Sequence, residues 1–146
     1  MSTYSFLNIS CFLAGPGVAV NLAAGAAVAE EGITLEAAED KNVMTIGADG
    51  KGMHSLVASD AAKATVRLLK TSPANAFLMI AYDTQSVSSA LWGINVMTLT
   101  DTTRGDISVL QNVAFTKKPK IDYAKEGGFI EWTFDIIQAN TVLGTG

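Results

Sequence analysis

The sequence predicts a mainly β protein, a β-barrel or β-sandwich with one flanking α-helix, and three observations carry that prediction. Seven or eight short segments alternate apolar and polar residues, a pattern with the period of a strand. Turn residues punctuate them at short intervals, as in "GPG" at 15–17 and "GADGKG" at 47–52. A single segment, Pro73 to Thr84, reads as a convincing helix. With 146 residues, the chain has the length of one ordinary domain, 1–146, which buries about 70% of the surface its unfolded form exposes.

The elements follow in order. Tyr4 to Ala14 alternates loosely up to the "GPG" turn, after which Val18, Val20 and Leu22 pair back as the second arm of an N-terminal hairpin. "AAGAAVAEEG" at 23–32 is small and flexible in composition, ends on Glu30 and Glu31, and reads as a mobile loop. Ile33, Leu35 and Ala37 then alternate with Thr34, Glu36 and Ala38, so one side of that strand is acidic. Val43 to Ile46 and Met53 to Ala58 flank the Gly-rich turn as two short strands.

"KATVRLLKTSPANAFLMIAYDTQ" changes character in its middle. It is β-branched and aliphatic up to Thr71, whereas Ser72 and Pro73 supply a capping hydroxyl and a proline at the first helical position. That helix has almost no polar stripe and is too short to cross a bilayer, so it needs a second apolar surface besides its own sheet. Ile94 to Thr100 is the next strand, "DTTRGD" a turn, and Asp106 to Thr116 a long alternating strand. In "FIEWTFDII", Ile130, Trp132, Phe134 and Ile136 share the core face, while Glu131, Thr133 and Asp135 share the other.

Composition narrows the function. Only 16% of residues are charged against a usual share of about 25%, while 49% are hydrophobic, so the chain is short of charges to coat a monomer. No run of about 20 apolar residues accompanies this surplus, which argues for burial against protein and against membrane insertion. The net charge of −4 and a basic cluster no larger than Lys117, Lys118 and Lys120 argue against sequence-specific nucleic-acid binding. A polyanion can still slide past a surface of like sign. Cys11 stands alone, which excludes an intrachain disulfide and a Cys-based zinc site. The N-terminus has neither a basic stretch nor a continuous apolar core of a signal peptide, so the chain is expected to stay in the cytoplasm where it is made.

No catalytic constellation emerges. His54 is the sole histidine, and its neighbour Ser55 points to the opposite face of a strand, so the two do not form a base and nucleophile pair. "GADGKG" lacks the spacing of a phosphate loop and a following helix, and is a hairpin turn. Glu30, Glu31, Glu36, Glu39 and Asp40 match no calcium loop and read as a solvated face. Arg104-Gly105-Asp106 is explained as a turn, and Cys11 as a small buried thiol. No cofactor, metal site or enzymatic activity is expected.

The segments "MSTYSFLNIS", "EEGITLEAAEDKNVMTIGADGKGMHS", "TVRLLKTSPANAFL", "LWGINVMTLTDTTRGD" and "YAKEGGFIEWTFD" resemble those of the tail tube proteins of contractile-tailed (myovirus-type) phages. The resemblance covers nearly the whole chain and is most specific at the strand-to-helix junction "LLKTSPANAFL". It implies a structural virion protein whose copies form hexameric rings stacked into a tube. The implied partners are the tail sheath, baseplate and tape-measure proteins, with phage DNA passing non-specifically through the lumen. It also implies a ring neighbour for the second face of the helix. Phe77, Leu78, Glu30 and Glu31 are the expected subunit-interface residues, and Glu36, Glu39, Asp40, Glu131 and Asp135 the lumen candidates. The competing readings are another tail component of the same fold, such as a tube terminator or baseplate hub protein, a small β-barrel binding module, and a weak hydrolase using His54.

Overall fold

In the computed structural model, which describes residues 4–5, 9–22 and 28–145, antiparallel strands account for most of the chain. The strands are β1 (Ile9–Gly15), β2 (Val18–Asn21), β3 (Val28–Ala37), β4 (Asn42–Ile46), β5 (Gly52–Leu56), β6 (Ala62–Leu69), β7 (Asn95–Asp101), β8 (Asp106–Phe115) and β9 (Phe129–Val142). One helix, α1 (Ala74–Gln85), falls between β6 and β7. Seven strands form one sheet in the order β2-β1-β7-β8-β9-β6-β3, and β4 with β5 forms a separate two-stranded hairpin. The expected N-terminal hairpin, the Gly-rich turn, the strand-to-helix junction and the "DTTRGD" turn are all present.

Alternation places the core. Ala62, Ala64, Val66 and Leu68 of β6 lie opposite Ile136, Phe134, Trp132 and Ile130 of β9, and all eight are buried. Cys11 and Leu13 of β1, Met97 of β7, and Leu110, Val113 and Phe115 of β8 continue the same inner face. At one point the alternation slips. Leu110 and Val113 both face inward, and opposite them so do Ile136 and Ala139. Asn112 sits at this step with φ 54, a left-handed conformation that asparagine tolerates, and the β7–β8 register shifts beside it. The slip turns the sheet through a corner. It curls into a half-barrel in which Ile33 and Leu35 of β3 approach Ile9 and Leu99 across an apolar cleft.

The helix closes the concave side. The helix begins one residue later than expected: Pro73 stands at the N-cap with no side-chain cap, and Ser72 Oγ, one position further out, accepts the amide of Ala74 at 3.3 Å. Ala74, Leu78, Ala81 and Gln85 recur at helical spacing and form the buried face. Tyr82 meets Phe115 edge-on at 5.6 Å, and Phe115 in turn contacts Trp132 at 5.8 Å and Phe134 at 5.0 Å. Asn75 tethers the first turn to the sheet by accepting from Trp132 Nε1 at 2.9 Å and donating to the Leu69 carbonyl at 2.9 Å.

The last turn is fixed by a reciprocal amide pair. Gln85 and Asn95, both fully buried, exchange two hydrogen bonds of 2.8 Å. Their remaining donors reach the Pro16 carbonyl at 3.0 Å and the Val113 carbonyl at 3.0 Å. Helix, β1–β2 turn, β7 and β8 thus meet at one satisfied polar node.

The expected loop at 23–32 is corrected in its second half. Residues 23–27 lie outside the described residues, but Val28–Ala37 is strand. Its register against β6 shifts between Val28 and Ile33, and Gly32 takes φ 65 there. Small residues and a glycine thus mark an irregular edge strand, not a loop.

Gly15 packs against the amide node so closely that a Cβ there would lie 1.7 Å from Asn95 Oδ1. Gly15→Ala should therefore displace Asn95, strand Gln85, and cost about 3 kcal/mol in urea unfolding. A loss below about 0.5 kcal/mol would show that the node is not rigid.

Candidate assembly surfaces

The chemistry of the surface is sparse. His54 is exposed on β5 and its Nδ1 lies 3.1 Å from Asn42 Nδ2, with no nucleophile in the pair. Among the described residues no three His, Cys, Asp or Glu side chains converge on a common point. A cleft of about 570 Å³ beside β9 contains Asp60, Lys63 and Asp135, but Asp60 pairs with Lys41 at 3.0 Å and Asp135 lies 3.9 Å from Lys63. Asp101 Oδ1 accepts the amides of Thr103 at 3.1 Å and Arg104 at 3.3 Å, so the Arg-Gly-Asp stretch is a braced turn. No helix among the described residues is long and apolar enough to cross a membrane.

Uncovered surface is more informative. Among the described residues, the seven-stranded sheet ends in β2 on one side and β3 on the other, each pairing with a strand along one edge only. Of the expected interface residues, Glu30 and Glu31 fall on β3, and their side chains lie outside the described residues. Phe77 and Leu78 separate. Leu78 is fully buried in the chain's own core, whereas Phe77 remains 55% exposed. Adjacent helical residues project about 100° apart, so the two cannot serve one surface. Ile80, at i+3 from Phe77 and 57% exposed, completes the outer face in place of Leu78.

The lumen candidates are brought together in part. Glu36, Lys63 and Asp135 form one cross-strand row on the outer face of β3, β6 and β9. Arg67 and Glu131, joined at 3.2 Å, lie two rows on, beyond Thr34, Thr65 and Thr133. Among the described residues, these rows therefore carry three carboxylates against two cations. Glu39 and Asp40 stand apart in the exposed connection from β3 to β4. The lysine group lies in the connection from β8 to β9, with Lys120 3.7 Å from Asp122.

One surface had no forerunner in the sequence reading. Hairpin β4–β5 buries none of its residues and exposes Val43, Met44, Ile46, Met53 and Leu56. Apolar groups on both faces of these strands are the signal that could have flagged it.

The described residues thus define a mainly β protein, a curled antiparallel sheet with one helix and two edge strands. Residues 1–144 match the model of the family described as "Bacteriophage PhiTE tail tube protein". The chain belongs to that family of phage tail proteins. No curated protein sequence matches.

Among solved structures, the PVC sheath/tube terminator of an extracellular contractile injection system in its extended state aligns with a TM-score of 0.59 at 11% identity, covering 97% of this chain and 98% of that one. The anti-feeding prophage cap, a tube-terminating cap, aligns with 0.54 at 8% identity over 99% and 93% of the two chains. The PVC sheath–tube complex in its extended state aligns with 0.51 at 11% identity over 94% and 89%. At these identities the likeness is one of fold.

Cys11 is buried in the core, and burial raises its thiol from 9.0 to about 12. The thiolate at pH 8 is then scarcer by roughly 10³, so thiol reagents should label the folded chain at least that much more slowly than the urea-unfolded chain. The raised value also means that the contribution of Cys11 to stability is intact below pH 9 and is lost as pH climbs towards 12. Rapid labelling of folded protein at pH 8 would contradict the burial.

Proposed function

We propose that the chain is the subunit of a contractile-type phage tail tube, a non-enzymatic virion protein of one unit, residues 1–146, whose copies close into hexameric rings that stack around a DNA-conducting lumen. The observation that carries this is the pair of open edges, β2 and β3, on a chain of a tail tube family. Edge-to-edge pairing of β2 on one copy with β3 on the next satisfies both rows of backbone groups and turns half-barrels into one continuous wall.

The outer helix face, Phe77 and Ile80, packs against the neighbouring copy, and Glu30 and Glu31 lie at the same seam. The row of Glu36, Asp135 and Glu131 faces the lumen, with Glu39 and Asp40 at its rim. Lys63 and Arg67 temper that wall without reversing its sign, which keeps a polyanion from sticking over many rings. The sheath surrounds the tube, with baseplate and tape-measure proteins at its ends, and assembly takes place in the host cytoplasm.

A second reading, a tube terminator built on the same fold, is favoured by the terminator and cap among the similar structures. Electron microscopy of the concentrated protein separates the two, because a tube subunit gives open-ended tubes of variable length and a terminator gives single rings. Phe77→Asp and Ile80→Asp should leave the melting temperature within about 2 °C, since both sites are exposed, yet abolish tubes by placing a charge in a desolvated contact. Leu78→Asp should instead unfold the chain. Normal tubes from both outer-face variants would remove the helix from the interface.

A further inference from the structure

β9 reaches further than the strand beside it. The β8–β9 ladder ends where Phe115 stands opposite Phe134, with one more bond of 3.0 Å from the Thr116 amide to the Thr133 carbonyl. Beyond that point Phe129 to Trp132 pair with β6 alone, and the Lys70 amide adds a bond of 3.1 Å to the Gly128 carbonyl on the same side. In an antiparallel strand, alternate residues turn both backbone groups to the same neighbour. The Gly128 carbonyl faces β6 and the Thr133 carbonyl faces β8, so the backbone groups of Phe129 and Glu131 also face the β8 side. Among the described residues, nothing bonds to them there. The sheet thus carries an open edge in its interior.

The segment that could fill this edge stands off from it. Residues 116–128 join β8 to β9 with neither helix nor strand. A cavity of about 520 Å³ is lined by Lys117, Pro119 and Lys120 from this segment and by Phe129, Glu131 and Thr133 from β9. Lys70, just after β6, holds the segment in place. Its Nζ donates to the Asp122 carbonyl and lies 4.1 Å from the centroid of the Tyr123 ring. Tyr123 is 88% exposed, so little else holds that ring.

The residues of the segment suit the edge. Continued in the existing register, Lys118 falls opposite Glu131 and Lys120 opposite Phe129. Both would turn their backbone groups to β9, as Thr116 does, while Lys117 and Pro119 would turn theirs away. Proline has no amide to offer, and 119 is a position where β9 asks for none. Lys118 and Glu131 would form an opposite-charge pair directly across the strands. Gly127 and Gly128 give the return at 121–128 room to turn, since a Cβ at either would meet nothing within 4 Å. The cost falls on Lys117, which would come to the inner face opposite Trp132, where its long stem must carry the ammonium out to water.

We propose that residues 117–120 are a strap poised to close as an extension of β8 on the Phe129–Glu131 edge, and that Lys70 is the latch that holds it open. Open, the edge is available to another strand; closed, it is sealed by the chain itself. Closing gives up the two surface ties of the Lys70 ammonium and gains ladder bonds at Lys118 and Lys120.

Hydrogen exchange on the full chain, dilute and unassembled, tests the strap. In Lys70→Met the Phe129 and Glu131 amides should exchange at least about ten times more slowly than in the wild type, because they gain the Lys120 and Lys118 carbonyls as partners. Tyr123→Ala should act in the same direction, and its exposed position makes it the deciding variant if Lys70→Met does not fold. Adding Lys118→Pro to either should return both amides to the wild-type rate, since it removes a donor that faces β9. Trypsin should report the same closing as slower cleavage after Lys120. Unchanged or faster exchange at Phe129 and Glu131 in the released variants, with faster cleavage after Lys120, would mean that Lys70 tethers a loose loop and would overturn the strap. Protection that survives Lys118→Pro would overturn its register.

Discussion

A seven-stranded sheet has two faces and two edges, and the described residues supply a single twelve-residue helix to cover them. The rest of the structure answers that shortage. The step at Leu110 and Val113, matched by Ile136 and Ala139, curls the sheet until parts of its inner face cover one another. The helix fills what remains, and its position is set at both ends by side-chain amides, Asn75 on Trp132 and Gln85 on Asn95. Among the described residues no buried side-chain polar atom lacks a partner, so the core is complete. What is incomplete lies outside it.

The uncovered surface is the same shortage seen from the other side. Phe77 and Ile80 on the helix, the open edges of β2 and β3, and the apolar β4–β5 hairpin are separate places, and a charged fraction of 16% leaves few groups to solvate them. One partner on one patch would leave the others bare. The proposed ring and stack would cover them all, because copies would then meet each subunit from several directions.

The inner face was legible in the sequence wherever alternation was regular. Ile130, Trp132, Phe134 and Ile136 fall at the period of a strand and are buried, and Ser72 with Pro73 marks the start of the helix. The orientation of the helix was not legible, since an almost wholly apolar segment has no polar stripe to show its outside, and Leu78 was grouped with Phe77 for that reason. Val28–Ala37 was misread in its first half because Ala, Glu and Gly are weak strand formers, and pairing with β6 overrode that preference. The edges were hidden more deeply, since strand order is a property of the sheet and no local pattern encodes it. The β4–β5 hairpin was found, but alternation cannot tell a covered strand from a bare one.

The central claim is that the open edges are satisfied by other copies, and amide hydrogen exchange reads it directly. In dilute single chains, the outward amides of β2 and of the Ile33–Ala37 half of β3 should exchange rapidly while those of β8 and β9 are protected; in assembled material both edges should become as slow as the centre of the sheet. Edge amides that exchange equally fast before and after assembly would mean that copies join elsewhere, and the account of the sheet as half of a shared wall would be wrong.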